Sequence, residues 1–229
     1  MANRPTYPGL IHQPSSQPPL VVKVGGGLLR DGGVDALRRA CNEAAERARA
    51  RPVLVIPGGG PFADAVRTVD RDGELGDRLA HQLALTAMDQ LGTVLRALLP
   101  SLEPISSLHK PVRLGLLLAA PAFAGQADVP ETWAVTSDSL AVLAAGVIGA
   151  DQAILLKPVD GVFETWPARA SGQPPLPRLT AAQLRALQHA GQGRAVDAYL
   201  PDAIERTGVT VIVRAPGAPT PAGTRITPD

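Results

Sequence analysis

Two short apolar runs, each closed by three consecutive glycines, constrain this chain more than any other feature. Leu20-Val21-Val22-Lys23-Val24 leads into Gly25-Gly26-Gly27, and Val53-Leu54-Val55-Ile56 leads through Pro57 into Gly58-Gly59-Gly60. Aliphatic runs without polar alternation predict strands buried on both faces. Such strands belong to a parallel sheet, because crossover helices cover both of its sides. The segments between them comply. Asp35 to Ala50 is rich in Ala, Arg and Glu and predicts a helix. Pro61 to about Val69 predicts another, with proline suited to its first turn. Arg78 to Leu99 is the longest helical pattern, and Ser139 to Ala150 and Ala181 to His189 add two more. Val112 to Leu118, Ala153 to Leu156 and Val209 to Val213 predict further strands, and Ala168 to Pro177 an irregular excursion. The alternation predicts an α/β fold: a three-layer αβα sandwich around a mainly parallel central sheet. A single domain is expected over residues 20–229, preceded by a flexible arm over residues 1–19, which are rich in Pro, Ser and Gln.

Charge and composition narrow the function classes. Lys and Arg number 22 against 21 Asp and Glu, a net charge of +1 that provides no global field for nucleic acid or an anionic membrane. Arg47, Arg49 and Arg51 close a helical stretch, where cations complement the helix dipole. The lone Cys41 excludes an internal disulfide and a multi-cysteine metal site, and reads as a small buried residue. No apolar run reaches the roughly 18 residues of a membrane span. The N-terminal residues lack the charged-then-apolar plan of a signal peptide, so a cytoplasmic protein is expected.

In open parallel sheets, ligands bind beyond the carboxyl ends of the strands, where both glycine clusters fall. Successive glycines let backbone N–H groups approach a phosphate, and the following helix adds its positive end. Lys23 is costly inside a buried strand unless an anion meets it, either a buried carboxylate or a phosphate. Lys157, closing the apolar run Leu155-Leu156, repeats that puzzle. No Gly-Lys-Ser/Thr follows the first glycines, so this is not a Walker A loop, and the spacing is not that of a dinucleotide fingerprint. Asp138, in Val135-Thr136-Ser137-Asp138-Ser139 ahead of a helix, has an N-cap as its ordinary reading. Asp160-Gly161 is a turn signal.

Together these blocks resemble the amino acid kinase superfamily. Val22-Lys23-Val24-Gly25-Gly26-Gly27-Leu28 is similar to its opening strand and lysine. Pro57-Gly58-Gly59-Gly60-Pro61 is similar to its glycine-rich acceptor loop, and Thr136-Ser137-Asp138-Ser139 to its later Asp loop. Asp160-Gly161-Val162-Phe163 is similar to its Asp-Gly-Val-aromatic turn, and Gly223-Thr224-Arg225-Ile226 to its terminal block. Within the superfamily, the stretches around Phe62-Ala63-Asp64, His81, Ala87-Met88-Asp89-Gln90, Trp133 and Val196-Asp197-Ala198-Tyr199-Leu200-Pro201 resemble a branch that phosphorylates a phosphomonoester in methanofuran biosynthesis.

The resemblance implies ATP and Mg²⁺ as cofactors, a small-molecule phosphate acceptor, and a homo-oligomer. It implies an acceptor-binding half over about residues 20–130 and a nucleotide-binding half over about 131–229. Lys23, Asp138 and Lys157 are the expected catalytic residues, with no protein metal ligand. Gly25, Gly26, Gly27, Asp160, Gly161, Phe163 and Glu164 are expected at the nucleotide, and Gly58, Gly59, Gly60, Arg67, His81 and Trp133 at the acceptor. His81, Arg67 and Trp133 also have ordinary readings, as a packed histidine, a surface charge and a packed ring. Two departures stand out. Lys157-Pro158 replaces the family's usual Thr-Asp before Val159-Asp160-Gly161, and Gly193-Arg194-Ala195-Val196-Asp197 lacks the family's late lysine. Lys157 is therefore expected to supply the missing charge. Other acceptors (uridylate, isopentenyl phosphate, an amino acid) stay open, as does a binding protein like the molybdenum storage proteins, although 4 His and 1 Cys make a poor cluster cage.

Overall fold

The computed structural model describes residues 17–108, 113–167, 173–218 and 222–229. Most of the expected N-terminal arm, Val112 at the start of one expected strand and residues 168–172 of the expected excursion lie outside the described residues. The strands are β1 (Leu20–Val24), β2 (Val53–Pro57), β3 (Glu103–Ile105), β4 (Leu114–Leu117), β5 (Gln152–Leu156), β6 (Arg178–Thr180), β7 (Thr210–Arg214) and β8 (Thr224–Thr227). The helices are α1 (Gly27–Arg47), α2 (Gly60–Gly73), α3 (Asp77–Leu98), α4 (Ala119–Phe123), α5 (Ser137–Val147), α6 (Ala181–His189) and α7 (Leu200–Thr207).

All eight strands form one sheet in the order β3-β4-β2-β1-β5-β7-β8-β6. Every pair is parallel except β7 with β8. From β1 the chain first builds outward through β2 and later returns to add β5 on β1's other side. The strand order thus reverses between β1 and β5, and a crevice opens there beyond the carboxyl ends.

The sheet is covered on both faces, as the unbroken apolar strands require. Leu20, Val22, Val24, Val53, Val55, Ile154 and Leu156 pack with Leu37, Ala40 and Ala44 of α1. Val21, Leu54, Ile56, Ala153, Leu155, Val211 and Val213 pack with Leu140, Ala141 and Ala144 of α5 and Ile204 of α7. Alternate residues of one strand serve opposite layers, so Lys23 shares the α5 face with Val21. Cys41 is buried in the α1 layer, as its composition suggested.

Several boundaries differ from the sequence reading. α1 is two helical pieces joined across a kink at Gly33 (φ 62°, ψ −161°), so a short piece over residues 27–32 precedes the helix expected from Asp35. α5 starts at Ser137, with Thr136 in the N-cap position, so Asp138 lies in the first turn and is not the cap. The helices α4 and α7 and the three-residue strands β3 and β6 are additions, too short to show a period. The capping box at α6, where Thr180 and Gln183 exchange side-chain to backbone bonds, sets a start at Ala181 that coincides with the sequence reading.

Candidate active site

β1 and β2 run side by side in register, Val24 opposite Pro57, so their two glycine turns emerge together. They pack backbone against backbone. A Cβ on Gly26 would lie 2.0 Å from Gly60 N, and one on Gly58 would lie 2.5 Å from Gly26 N. Glycine is thus demanded here by close approach, whatever ligand binds. The Gly25 N–H donates to Leu156 O and the Gly58 N–H to Val24 O, both at 2.8 Å, extending the strand ladders. The N–H groups free by helical geometry are those at the starts of α1 and α2, around Gly27 and Gly60. Gly26, Gly27, Gly59 and Gly60 line a cavity of about 180 Å³, whereas Gly25 and Gly58 stand behind it.

Lys23 and Lys157 also line this cavity. In the β1–β5 register Lys23 lies opposite Leu155, and Lys157, two residues further on, returns to the same face. The Lys157 N–H bonds to Arg214 O at 2.9 Å, holding its backbone at the end of β7. Both ammonium groups reach Asp138 on α5: Lys23 Nζ is 2.8 Å from Oδ1, and Lys157 Nζ is 2.5 Å from Oδ2. Lys23 and Asp138 are 4% and 2% exposed, so this triad carries one net positive charge almost out of water. Burial pulls the Lys23 pKa down; Asp138 opposes that shift and Lys157 adds to it. Burial pushes the Asp138 carboxyl up, but the two ammonium groups outweigh it and hold the pKa at about 2. Asp197 also favours the charged form of Lys23, and both ammonium groups line the cavity, where they suit an anionic ligand.

Asp197 supports this arrangement from the loop before α7. Its Oδ2 accepts from the Thr136 N–H (2.9 Å), the Thr136 hydroxyl (2.8 Å) and the Ser139 N–H (3.0 Å), and its Oδ1 accepts from the Ser139 hydroxyl. A carboxylate distant in sequence thus satisfies the N-terminal donors of α5. The Asp197 N–H in turn donates to Asp138 Oδ2 at 3.3 Å. Burial, and then the neighbouring Asp138 charge, pushes the Asp197 carboxyl up to about 6. This residue lay in a stretch noted for its family likeness but was not among the expected site residues. A single loop Asp has no periodicity or spacing to mark it.

The raised pKa has a stability consequence. Between its ordinary 3.8 and about 6, the folded state holds the Asp197 proton more tightly than the unfolded chain does. Its contribution is therefore complete below 3.8 and is lost as pH rises through 6. Asp197→Asn is expected to flatten the fall in stability between pH 4 and 6, measured by urea denaturation across that range. An unchanged slope would assign the titration to another group.

The cavity's far wall comes from α1, α2, α3 and the segment before α5. Arg67 lies 4.7 Å from the Trp133 ring centroid, over its face, and the indole N–H bonds Asp70 at 2.7 Å. Asp64 binds both Arg67 (2.8 Å) and Arg30 (3.2 Å), so one carboxylate tethers two guanidinium groups of the lining. His81, buried on α3, completes this wall. Arg67, His81 and Trp133 are thereby brought together with Lys23. Arg30 and Asp64 join them without having been expected. The residues expected at the nucleotide are not all gathered there: Asp160, Gly161, Phe163 and Glu164 lie outside the cavity lining. Phe163 is buried, and the Gly161 backbone packs against Thr224, whose hydroxyl accepts from the Val162 N–H at 2.8 Å. Asp160 and Glu164 are exposed. Among the described residues, no cluster of three His, Cys, Asp or Glu side chains is placed to hold a metal, and no helix is long and apolar enough to cross a membrane.

Fold and site together define an α/β protein with a cationic, glycine-lined crevice at the sheet's reversal point. The sequence model of the amino acid kinase family matches residues 18–214, and the chain belongs to that family. A characterised relative, the [5-(aminomethyl)furan-3-yl]methyl phosphate kinase of Methanocaldococcus jannaschii, is 28% identical over 152 residues, covering 64% of this chain and 69% of that protein. Among solved structures, the uridylate kinase of Archaeoglobus fulgidus superposes with a TM-score of 0.67 at 22% identity, over 91% of this chain and 99% of that one. The UMP kinase of Bacillus anthracis gives 0.69 at 17% identity, over 93% and 98%. The aspartate kinase of Synechocystis gives 0.70 at 16% identity, over 92% of this chain but 40% of that one. These structural likenesses establish the amino acid kinase fold, and the relatives are kinases.

Proposed function

We propose that this chain transfers the γ-phosphoryl group of ATP to a small phosphomonoester, with [5-(aminomethyl)furan-3-yl]methyl phosphate as the acceptor and a diphosphate as the product. The observation that carries this reading is the convergence of Lys23 and Lys157 on Asp138, in a cavity also lined by Arg30 and Arg67. Four cations lining one small space suit two phosphate-bearing substrates. The likeness to the relative from Methanocaldococcus jannaschii supports this choice of acceptor.

In this reading, an oxygen of the acceptor phosphate attacks the γ-phosphorus while the bond to the ADP oxygen breaks. The nucleophile is already ionised at neutral pH, so no side chain must remove a proton. What the chain contributes is alignment and charge neutralisation. Lys23 faces the transferring group, and Lys157 neutralises charge on the leaving β-phosphate. The N–H groups at the start of α1 hold the ATP phosphates, and those at the start of α2, with Arg67 and Arg30, hold the acceptor. Asp138 positions both lysines, and Asp197 positions Asp138. Asp160 to Glu164 border the nucleotide beyond the cavity. Mg²⁺ would enter with the nucleotide and would shield its phosphate charge, since among the described residues no cluster of three His, Cys, Asp or Glu side chains is placed to hold it. The Trp133 face covered by Arg67 offers no open platform for a nucleobase, which favours a smaller acceptor over uridylate. A homo-oligomer remains part of the reading, with exposed Leu79 and Leu83 on α3 available for a subunit contact.

The test is ADP release with ATP and Mg²⁺ over a panel containing the aminomethylfuran phosphate, UMP, isopentenyl phosphate, aspartate and acetylglutamate. Turnover is expected to be highest with the furan phosphate. Preference for a non-phosphorylated amino acid would overturn the acceptor assignment.

A further inference from the structure

His81 is 5% exposed and lines the cavity. Its ring is hydrogen-bonded to the backbone of Thr132, yet Nε2 has no partner among the described residues. The bond to Thr132 therefore falls to Nδ1, and a ring nitrogen facing a backbone carbonyl is the one that bears the proton. Burial pulls the ring's pKa below the ordinary histidine value, with the Glu131 charge and the Thr132 bond opposing. The imidazole is accordingly neutral at pH 7. In this tautomer, assigned from the hydrogen-bond pattern, Nε2 is a bare lone pair that can only accept.

A second acceptor is stranded nearby. Glu131, whose charge acts on His81, has a buried Oε1 without a partner, and its Oε2 is 3.7 Å from Arg78. Buried acceptors without donors are rare, and His81 Nε2 is one that lines the cavity, while the Glu131 charge acts on its ring from outside the lining. The remaining charged lining is Lys23, Arg30, Arg67 and Lys157 against Asp64 and Asp138. The pocket therefore offers two kinds of partner: guanidinium groups for a phosphate, and the His81 Nε2 lone pair for an N–H donor.

We propose that His81 Nε2, reinforced by the negative charge of Glu131, receives a hydrogen bond from a protonated amine of the acceptor, so that the site selects phosphomonoesters that carry an amine. The inference rests on the reading of this cavity as the acceptor site and adds the feature by which that acceptor is recognised. A methyl in the amine's place would leave Nε2 unsatisfied, and sites built to receive an N–H discriminate strongly against analogues lacking a donor.

The experiment compares two probes, [5-(aminomethyl)furan-3-yl]methyl phosphate and (5-methylfuran-3-yl)methyl phosphate, by turnover and by titration calorimetry. The wild-type protein is expected to bind the amine at least about tenfold more tightly. His81→Phe should erase that preference, and His81→Gln, which keeps an acceptor near the Nε2 position, should recover part of it. Glu131→Gln should reduce the preference as well, and it serves as the reading if His81→Phe does not fold. Equal wild-type affinity for the two probes, or equal loss of both in His81→Phe, overturns the inference. So does an NMR titration that finds His81 protonated at pH 7 and paired with Glu131. Calorimetry separates this from the kinase reading: binding preference without phosphorylation of either probe sinks the kinase reading alone, and phosphorylation of both without preference sinks this one alone.

Discussion

Replacing Lys23 with alanine is expected to leave a folded protein that turns over at least about 10²-fold more slowly, the usual cost of removing one preorganised electrostatic contact to a transition state. Folding should survive because Asp138 would not be stranded: Lys157 remains 2.5 Å from its Oδ2. The variant also removes a lysine whose burial works against its charge. Single-turnover phosphoryl transfer, with circular dichroism to confirm the fold, is the appropriate measurement, since it separates chemistry from product release. Wild-type turnover would remove Lys23 from the chemistry and leave it as half of a structural ion pair. Lys157→Met gives the companion result: intact turnover there would place the second positive charge elsewhere.

The opposite pattern is expected for Asp138→Asn. This substitution leaves two closely placed ammonium groups, one of them almost fully buried, without their shared counter-charge. Removing one partner of a buried ion pair costs about 3–5 kcal/mol, so the loss should appear first as a lower denaturation midpoint and only then as lower activity. The acid limb of the stability profile provides a check. Asp138 has a folded pKa of about 2 against an ordinary 3.8, so its stabilisation is fully present above 3.8 and is lost as pH falls through 2. The variant should lack that acid-side loss. A denaturation midpoint equal to wild type would mean that the fold does not depend on Asp138 as the lysines' counter-charge.

The architecture was largely legible because its signals are periodic. Unbroken aliphatic strands such as Val53–Ile56 announce burial on both faces, and helical patterns separate them. The Lys23 and Lys157 pairing was partly legible too, since a lysine at the end of a buried strand requires an anion. What the sequence did not show is the shared carboxylate: that depends on the β1–β5 register and on the face of α5 turned toward it. Asp197, Arg30 and Asp64 escaped for the same reason, being ordinary polar residues placed by tertiary geometry. The first piece of α1 was missed because it is too short to show a period, whereas the break read at Gly32-Gly33 is where the chain kinks. The Asp160-Gly161-Val162-Phe163 turn resembles its family counterpart in sequence, yet its buried portion is engaged with Thr224 and not with the crevice.

The back-to-back glycine turns also limit how this site can diversify. Gly26 touches Gly60, and Gly58 touches Gly26, with no room for a single methyl between them. The two glycine turns therefore behave as one rigid part with a fixed gauge. On the proposed function, a descendant of this chain could not move its two substrates apart by altering either turn. A change of acceptor would then have to be made on the wall formed by Arg67, His81 and Trp133, where side chains can be exchanged without disturbing that gauge.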